Sequence, residues 1–331
     1  MKQVVAAALV VGLIAGYSIA WDAAGHRAIT LAAMQGLPES VPAWLKDKST
    51  MEQVADQATV PDRWRSTRVA QLTHLNNPDH YIDIEDLEPF GMSIDKLPIL
   101  RYEFVKELTL ARERGGAEFK GRPASGPRDF AKVAEWPGFL PYAIAEQYAK
   151  VQNAFSTVRI LEQLNDPKRE EQLKMARANA MYNMGILSHM VGDAAQPLHT
   201  TRHHHGWEGP NPEGYTTDTG IHSYIDGAIV RHHSIDAKTI VAGAHFDLKV
   251  APNDPWDSVI AHIKRSFEQV EPLYKLKKSG ELEGEPGRAL ILERMTDGAR
   301  MLEALYQAAW ESAAATDKSV SDFVKYDNFD K

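Results

Sequence analysis

Residues 187–199 read LSHMVGDAAQPLH, and they constrain this chain more than any other stretch. His189 and Asp193 stand four residues apart within an otherwise apolar helical pattern, and His199 follows just past Pro197. Four residues is slightly more than one helical turn, so the first two side chains leave the same face about 6 Å apart. A buried ionic group is unfavourable unless something compensates it. Where imidazole and carboxylate occur together, a metal ion is the usual compensation. The fold must therefore bring further ligands to this segment from distant parts of the chain.

The rest of the chain reads as helical. In PYAIAEQYAKVQNAFSTVRILEQL the apolar positions Ile144, Tyr148, Val151, Phe155, Val158 and Leu161 recur at spacings of four and three, with Pro141 suited to the first turn. In DPWDSVIAHIKRSFEQV the spacing predicts a helix capped by Asp254, with Val259, Ile263, Phe267 and Val270 facing inward. A third helix is expected from Arg288 to Ser312 through Ile291, Met295, Leu302, Leu305 and Ala309. No sustained alternation with hairpin turns is visible. The expected fold is all-α, a mainly helical single domain with its metal ligands in a cleft between helices. Residues 206–220 (GWEGPNPEGYTTDTG) and 115–127 (GGAEFKGRPASGP) are rich in turn residues and predict irregular surface connections.

The first twenty residues, MKQVVAAALVVGLIAGYSIA, combine Lys2, an apolar run from Val4 to Ile14, and small residues at Ser18 and Ala20. This is the pattern of a cleaved secretory signal, and the run is short for a bilayer span of ~20 residues. The expectation is a leader at 1–20 and one domain at 21–331, secreted or periplasmic. The chain has no cysteine, so no disulfide supports it. A metal bound only by the folded state would add its binding free energy to stability. The net charge of −8 argues against tight electrostatic binding of duplex nucleic acid, which needs many basic contacts.

Other stretches offer the missing ligands. IHSYID repeats the four-residue spacing with His222 and Asp226, on a segment expected to begin a helix after Gly220. NPDHYIDIED contributes His80 and Asp83, VPDRWR contributes Asp62, and WDAAGH contributes His26. Cleavage after Ala20 would leave Trp21 first, and a free α-amino group with its own carbonyl oxygen can chelate a cation.

The ordered set WxxxxH, Asp, HYID, HxxxDxxxxxH and HxxxD resembles the trinuclear zinc enzymes that include the type I single-strand-specific nucleases of fungi and plants and the bacterial zinc-dependent phospholipases C. It spans Trp21 to Asp226. The resemblance implies three zinc ions. One would be held by Asp62, His80, His189 and Asp193. A second would be held by His199, His222 and Asp226. The third would sit on the amino and carbonyl groups of Trp21, His26 and a shared oxygen of Asp193. Asp83 would contact substrate or support a ligand, making Asp62 and Asp83 the candidate catalytic carboxylates. The implied activity is hydrolysis of a phosphodiester by metal-activated water, and no GxSxG element or cysteine nucleophile is present.

Several alternatives stay open on sequence grounds. Asp56 competes with Asp62, and His74 with His80. The His203, His204, His205 triplet can bind metal adventitiously or edge the cleft. His232 and His233 are expected to favour a helix C-terminus through the dipole, Met181, Met184 and Met190 to pack in the core, and His245 and His262 have no assignable partner. For substrate, Asp226 and the long interval between His199 and His222 favour single-stranded nucleic acid. The absence of a GGN base-recognition segment, and LHTT around His199, favour a phospholipid. Trp207 and Tyr215 suit either a base or a headgroup. Nucleic acid, DNA or RNA, is the first expectation, phospholipid the second, and a non-catalytic secreted zinc-binding protein the third. No protein partner is implied, and a monomer is expected.

Overall fold

The computed structural model describes residues 21–67, 69–115 and 136–327. The expected leader at 1–20 and nearly all of the expected connection at 115–127 lie outside the described residues. The helices are α1 (Ala23–Gly36), α2 (Lys48–Gln57), α3 (Val60–Ser66), α4 (Ala70–Asn76), α5 (Arg101–Gly115), α6 (Leu140–Leu164) and α7 (Glu170–Ala195), followed by α8 (Ile221–Ser223), α9 (Ile229–His232), α10 (Ala237–Gly243), α11 (Trp256–Phe267), α12 (Val270–Ser279), α13 (Glu285–Ser312) and α14 (Asp317–Asp327). Among the described residues there is no strand, only isolated bridges such as Ile82 with Gly138. The chain is all-α, as its periodicity predicts.

Helix α7 organises the interior. It packs against α6, α13, α2, α1 and α11, and every residue from Met184 to Ala195 is buried. A helix surrounded on all sides needs an apolar circumference, which explains the run GILSHMVGDAA. Close approach is obtained with glycine. A Cβ on Gly185 would lie 2.3 Å from the Gln57 Cβ of α2, and one on Gly192 would lie 2.8 Å from His26 Nδ1 of α1. Met184 and Met190 are buried and Met181 is partly so, as core packing requires.

Helix boundaries depart from expectation at two places. The expected helix through Val270 is two helices. Pro255 occupies the cap position of α11, Asp254 accepts from the Trp256 amide at 3.2 Å, and Val270 opens α12. Periodicity carried across Glu268 and Gln269 because both helices bury the same side of the chain. The HxxxD segment after Gly220 starts as α8 but widens into a π-helical turn at Tyr224–Ala228 before α9 resumes. Such widened turns are rare and occur mostly at functional sites.

Candidate metal centre

The buried end of α7 projects His189 and Asp193 inward, and three other segments meet them. Helix α1 supplies His26, α3 supplies Asp62, and the 3-10 turn Asn77–His80 supplies His80. His189 Nε2 lies 3.1 Å from His80 Nδ1, 3.4 Å from Asp193 Oδ2 and 3.8 Å from Asp62 Oδ1. Asp193 uses both oxygens: Oδ2 is 2.8 Å from His80 Nδ1 and Oδ1 is 3.4 Å from His26 Nε2. The His26 and His189 rings stack with centroids 4.0 Å apart.

A second nest forms from His199, in the turn after α7, with His222 and Asp226. His199 Nε2 and His222 Nε2 face each other at 2.9 Å, and His222 Nε2 is 3.6 Å from Asp226 Oδ2. The two nests are stitched together. Gln196 donates to Asp226 Oδ1 at 2.7 Å, and His199 Nδ1 donates to the His80 carbonyl at 2.5 Å. The start of the described chain joins them, because the Asp22 amide donates to the Asp226 carbonyl at 2.8 Å.

These distances are compatible with a metal cage. His189 Nδ1 donates to the Ala58 carbonyl at 2.7 Å, as His199 Nδ1 does to that of His80, so each ring directs a bare Nε2 lone pair inward. In the second nest that lone pair meets another imidazole nitrogen. Zinc bound at about 2.0–2.1 Å in tetrahedral geometry places its ligands ~3.3 Å apart, near the middle of the observed spacings. Both ring nitrogens of His26, Nδ1 of His222, Oδ1 of Asp62, Oδ1 of Asp193 and Oδ2 of Asp226 are buried without a hydrogen-bond partner. Three groups of side chains, His26 with Asp62 and His189, His80 with His189 and Asp193, and His199 with His222 and Asp226, could each hold a metal ion. The donor set fits zinc.

Burial sets the protonation. It lowers His26 and His80, holds His222 well below the ordinary histidine value, and brings His199 down to about 4. These rings are therefore neutral near pH 7, the form a metal needs, whereas at His189 the lowering by burial is outweighed by Asp193 and Asp62, which raise it. Burial raises Asp62 and raises Asp226 well above the carboxylate range. Asp193 is different: burial pushes it up, but His189, His199 and His80 around it hold it well below the usual value.

The structure brings together His26, Asp62, His80, His189 and Asp193 in one nest and His199, His222 and Asp226 in the other. Asp62 is preferred over Asp56, which is exposed and paired with Arg27 and Arg63. His80 is buried whereas His74 is exposed. The Trp21 side chain is fully buried, and its neighbour Asp22 is anchored on Asp226. Asp83 is buried outside the nests, 3.6 Å from His204 Nδ1. None of the triplet belongs to a nest; His203 stacks on Trp207 at 4.0 Å. His232 and His233 bond to the carbonyls of Glu283 and Leu282, tying α9 to the turn before α13.

Sequence reasoning missed the residues that orient the ligands. The Asn76 amide donates both to the Pro61 carbonyl and to His80 Nε2, each at 2.9 Å. Gln196 and the Ala58 carbonyl act similarly on Asp226 and His189. Only Gln196, beside the motif, carried a local signal. His262 also finds a partner, bonding Asp297 at 3.0 Å and the Val191 carbonyl of α7 at 3.3 Å. Beside Asp62 lies an open cavity of about 700 Å³ lined by Arg27, Thr59 and Arg63. Arg65 Nη1, 3.9 Å from Asp62 Oδ1, has no hydrogen-bond partner. No family model matches the chain, and no curated protein is similar to it in sequence.

Proposed function

We propose that this chain is an exported zinc-dependent phosphodiesterase of the phospholipase C and zinc nuclease type, holding up to three zinc ions and acting on single-stranded nucleic acid. The observation that carries this reading is the convergence of imidazole nitrogens, 2.9 Å apart in one nest and 3.1 Å in the other, next to buried carboxylates. Nearly all polar atoms buried this deeply in proteins are satisfied, so a set of orphans aimed at common points implies ligands.

When bound, the metals would supply a water acidified toward neutrality and positive charge for phosphoryl oxygens. The chain's own residues do the remaining work. Asp193 spans two groups of ligands and fixes their separation. Arg65 offers a buried, unpartnered N–H beside Asp62 where a phosphoryl oxygen would arrive. Arg27 and Arg63 line the cavity next to Asp62, where Arg27 is paired with Glu52 and Asp56 and Arg63 with Asp56.

A second reading, cleavage of phospholipid headgroups, is favoured by the exposed aliphatic side chains Val69, Leu75, Ile99 and Leu100. The deciding experiment counts zinc in the purified protein by elemental analysis. It then offers single-stranded DNA, RNA and phosphatidylcholine in parallel, with a His189→Ala control. Cleavage of nucleic acid that is abolished by chelation and by the substitution supports the proposal. Cleavage of lipid alone transfers it to the second reading, and bound zinc without turnover leaves a secreted metal-binding protein.

A further inference from the structure

A second cavity, of about 540 Å³, lies behind His80 between α3, α4, α5, α6 and α7. Its wall meets the metal centre at Asn76. Asn76, on its wall, bonds His80 Nε2, and Met190, also on its wall, adjoins the ligand His189 in sequence. Its walls carry two aromatic side chains, Trp64 and Tyr102, and Tyr102 is 87% exposed, an unusual position for an aromatic with nothing to cover it.

The polar groups of this cavity are specific in what they lack. The Asn76 amide nitrogen is committed to Pro61 and His80, that of Gln147 to Asn183, and that of Asn183 to Asn179. The carbonyl oxygen of Gln147 receives no hydrogen bond among the described residues. The cavity therefore presents an amide acceptor to a ligand that brings an N–H donor. Arg101 is already held by Asp79 and Glu146, whereas Lys150 makes no ion pair among the described residues and stands exposed at the rim. An aromatic flank, an open amide acceptor and an uncommitted cation together suit a planar heterocycle with an exocyclic amine and a nearby phosphate.

We infer that this cavity is a nucleotide subsite, taking a nucleobase that carries an exocyclic amine, with Lys150 on its phosphate, for a strand engaged at the metal centre. The inference rests on the nucleic-acid reading and adds a base preference to it. Cytosine, adenine and guanine carry the required amine; uracil and thymine do not. The aliphatic residues near the rim, Leu75 and Leu100, are the observation that an acyl chain would use instead, but an acyl chain has no use for the amide acceptor.

The test titrates the zinc-loaded protein with CMP and with UMP, which differ at the exocyclic group and the adjacent ring nitrogen while presenting the same phosphate to the metals. CMP is expected to bind roughly tenfold more tightly, the value of about one hydrogen bond. Lys150→Gln should weaken both nucleotides several-fold, and Gln147→Leu should bring the ratio to about one. Because Gln147 is buried and its variant can fail to fold, Tyr102→Ala at an exposed position provides the second arm, and it should weaken both nucleotides several-fold by removing the stacking face. Equal affinity for CMP and UMP overturns the inference, as does a preference that survives Gln147→Leu or an affinity for both nucleotides that Tyr102→Ala leaves unchanged. Binding of dodecylphosphocholine, weakened by Tyr102→Ala, with no binding of either nucleotide, also overturns it and gives the cavity to a lipid. The nucleotide ratio is independent of turnover. A protein that separates CMP from UMP but cuts no DNA refutes the nuclease reading and keeps the subsite. One that cuts DNA without separating them does the reverse.

Discussion

Replacing Gly192 by alanine tests whether helix packing, and not only ligand identity, shapes the metal centre. Gly192 is helical, on α7 between His189 and Asp193 in sequence, and glycine there is about 1 kcal/mol less favourable than alanine by intrinsic propensity. Alanine would therefore stabilise an isolated helix. In the protein its Cβ would stand 2.8 Å from His26 Nδ1 and 3.1 Å from Cε1, about 0.7 Å inside ordinary contact. The imidazole has little room to retreat, since it stacks on His189 at 4.0 Å. Metal–ligand distances tolerate only about 0.2 Å, so a displacement of even half the overlap misplaces His26. Overpacking of about 1–3 kcal/mol against the propensity gain leaves a net destabilisation between zero and ~2 kcal/mol. The loss at the metal should be larger in proportion, on the order of 10–100-fold in the affinity of the ion that His26 touches. Competitive titration with a zinc chelator reads the affinity, and thermal unfolding reads the stability. Gly36→Ala is the control: at the end of α1 its Cβ would meet the Phe246 ring at 2.6 Å, away from the ligand nitrogens, and it should lower the melting temperature without selective loss of an ion. A Gly192→Ala protein with unchanged zinc affinity and a raised melting temperature would refute the reasoning.

Three further outcomes follow from the same geometry. Asp193→Asn should lose more than one ion, because its two oxygens serve His26 on one side and His80 and His189 on the other, whereas Asp226→Asn should lose one; elemental analysis separates the two. Chelation should lower the melting temperature by about 4 °C for each ion present at 100 times its dissociation constant, from ~2.7 kcal/mol of linkage and ~2.1 cal/mol/K per residue over a chain of about 300 residues; calorimetry with and without chelator measures it, and an unchanged melting temperature would exclude zinc as a support of this cysteine-free fold. Burial opposes ionisation of Asp297, but the His262 hydrogen bond, Arg294 and Arg265 outweigh it and hold its carboxyl well below the usual value. A depressed carboxylate contributes stability above the unfolded value of about 3.9 and loses it as pH falls toward the folded one. The stability gap between the parent and Asp297→Asn should therefore be constant above pH 5 and shrink below pH 4 in urea titrations, and a gap independent of pH would show that the carboxylate charge has no such role.

What the sequence determined here is what repeats within a turn or two of chain. Apolar spacings of three and four specified α6, α11 and α13, and the same period placed His189 with Asp193 on one face of α7. The same spacing paired His222 with Asp226, whereas His26, His80 and His199 entered through the ordered set of motifs and the resemblance that it carries. What only the tertiary structure decided is everything joined across long separations. His262 and Asp297 meet although 35 residues apart, and nothing near either one announces the other. Asp62 displaces Asp56 because α3 turns its carboxylate toward His189, while that of Asp56, on α2, stays at the surface between two arginines. The cavity behind His80 gathers side chains from α3, α4, α5, α6 and α7, and none of those side chains belongs to a motif. Local periodicity is set by hydrogen bonding within a helix and can be read along the chain. The choice among distant partners is set by how helices pack, where glycines such as Gly185 and Gly192 permit approach, and that information appears only when the chain is folded.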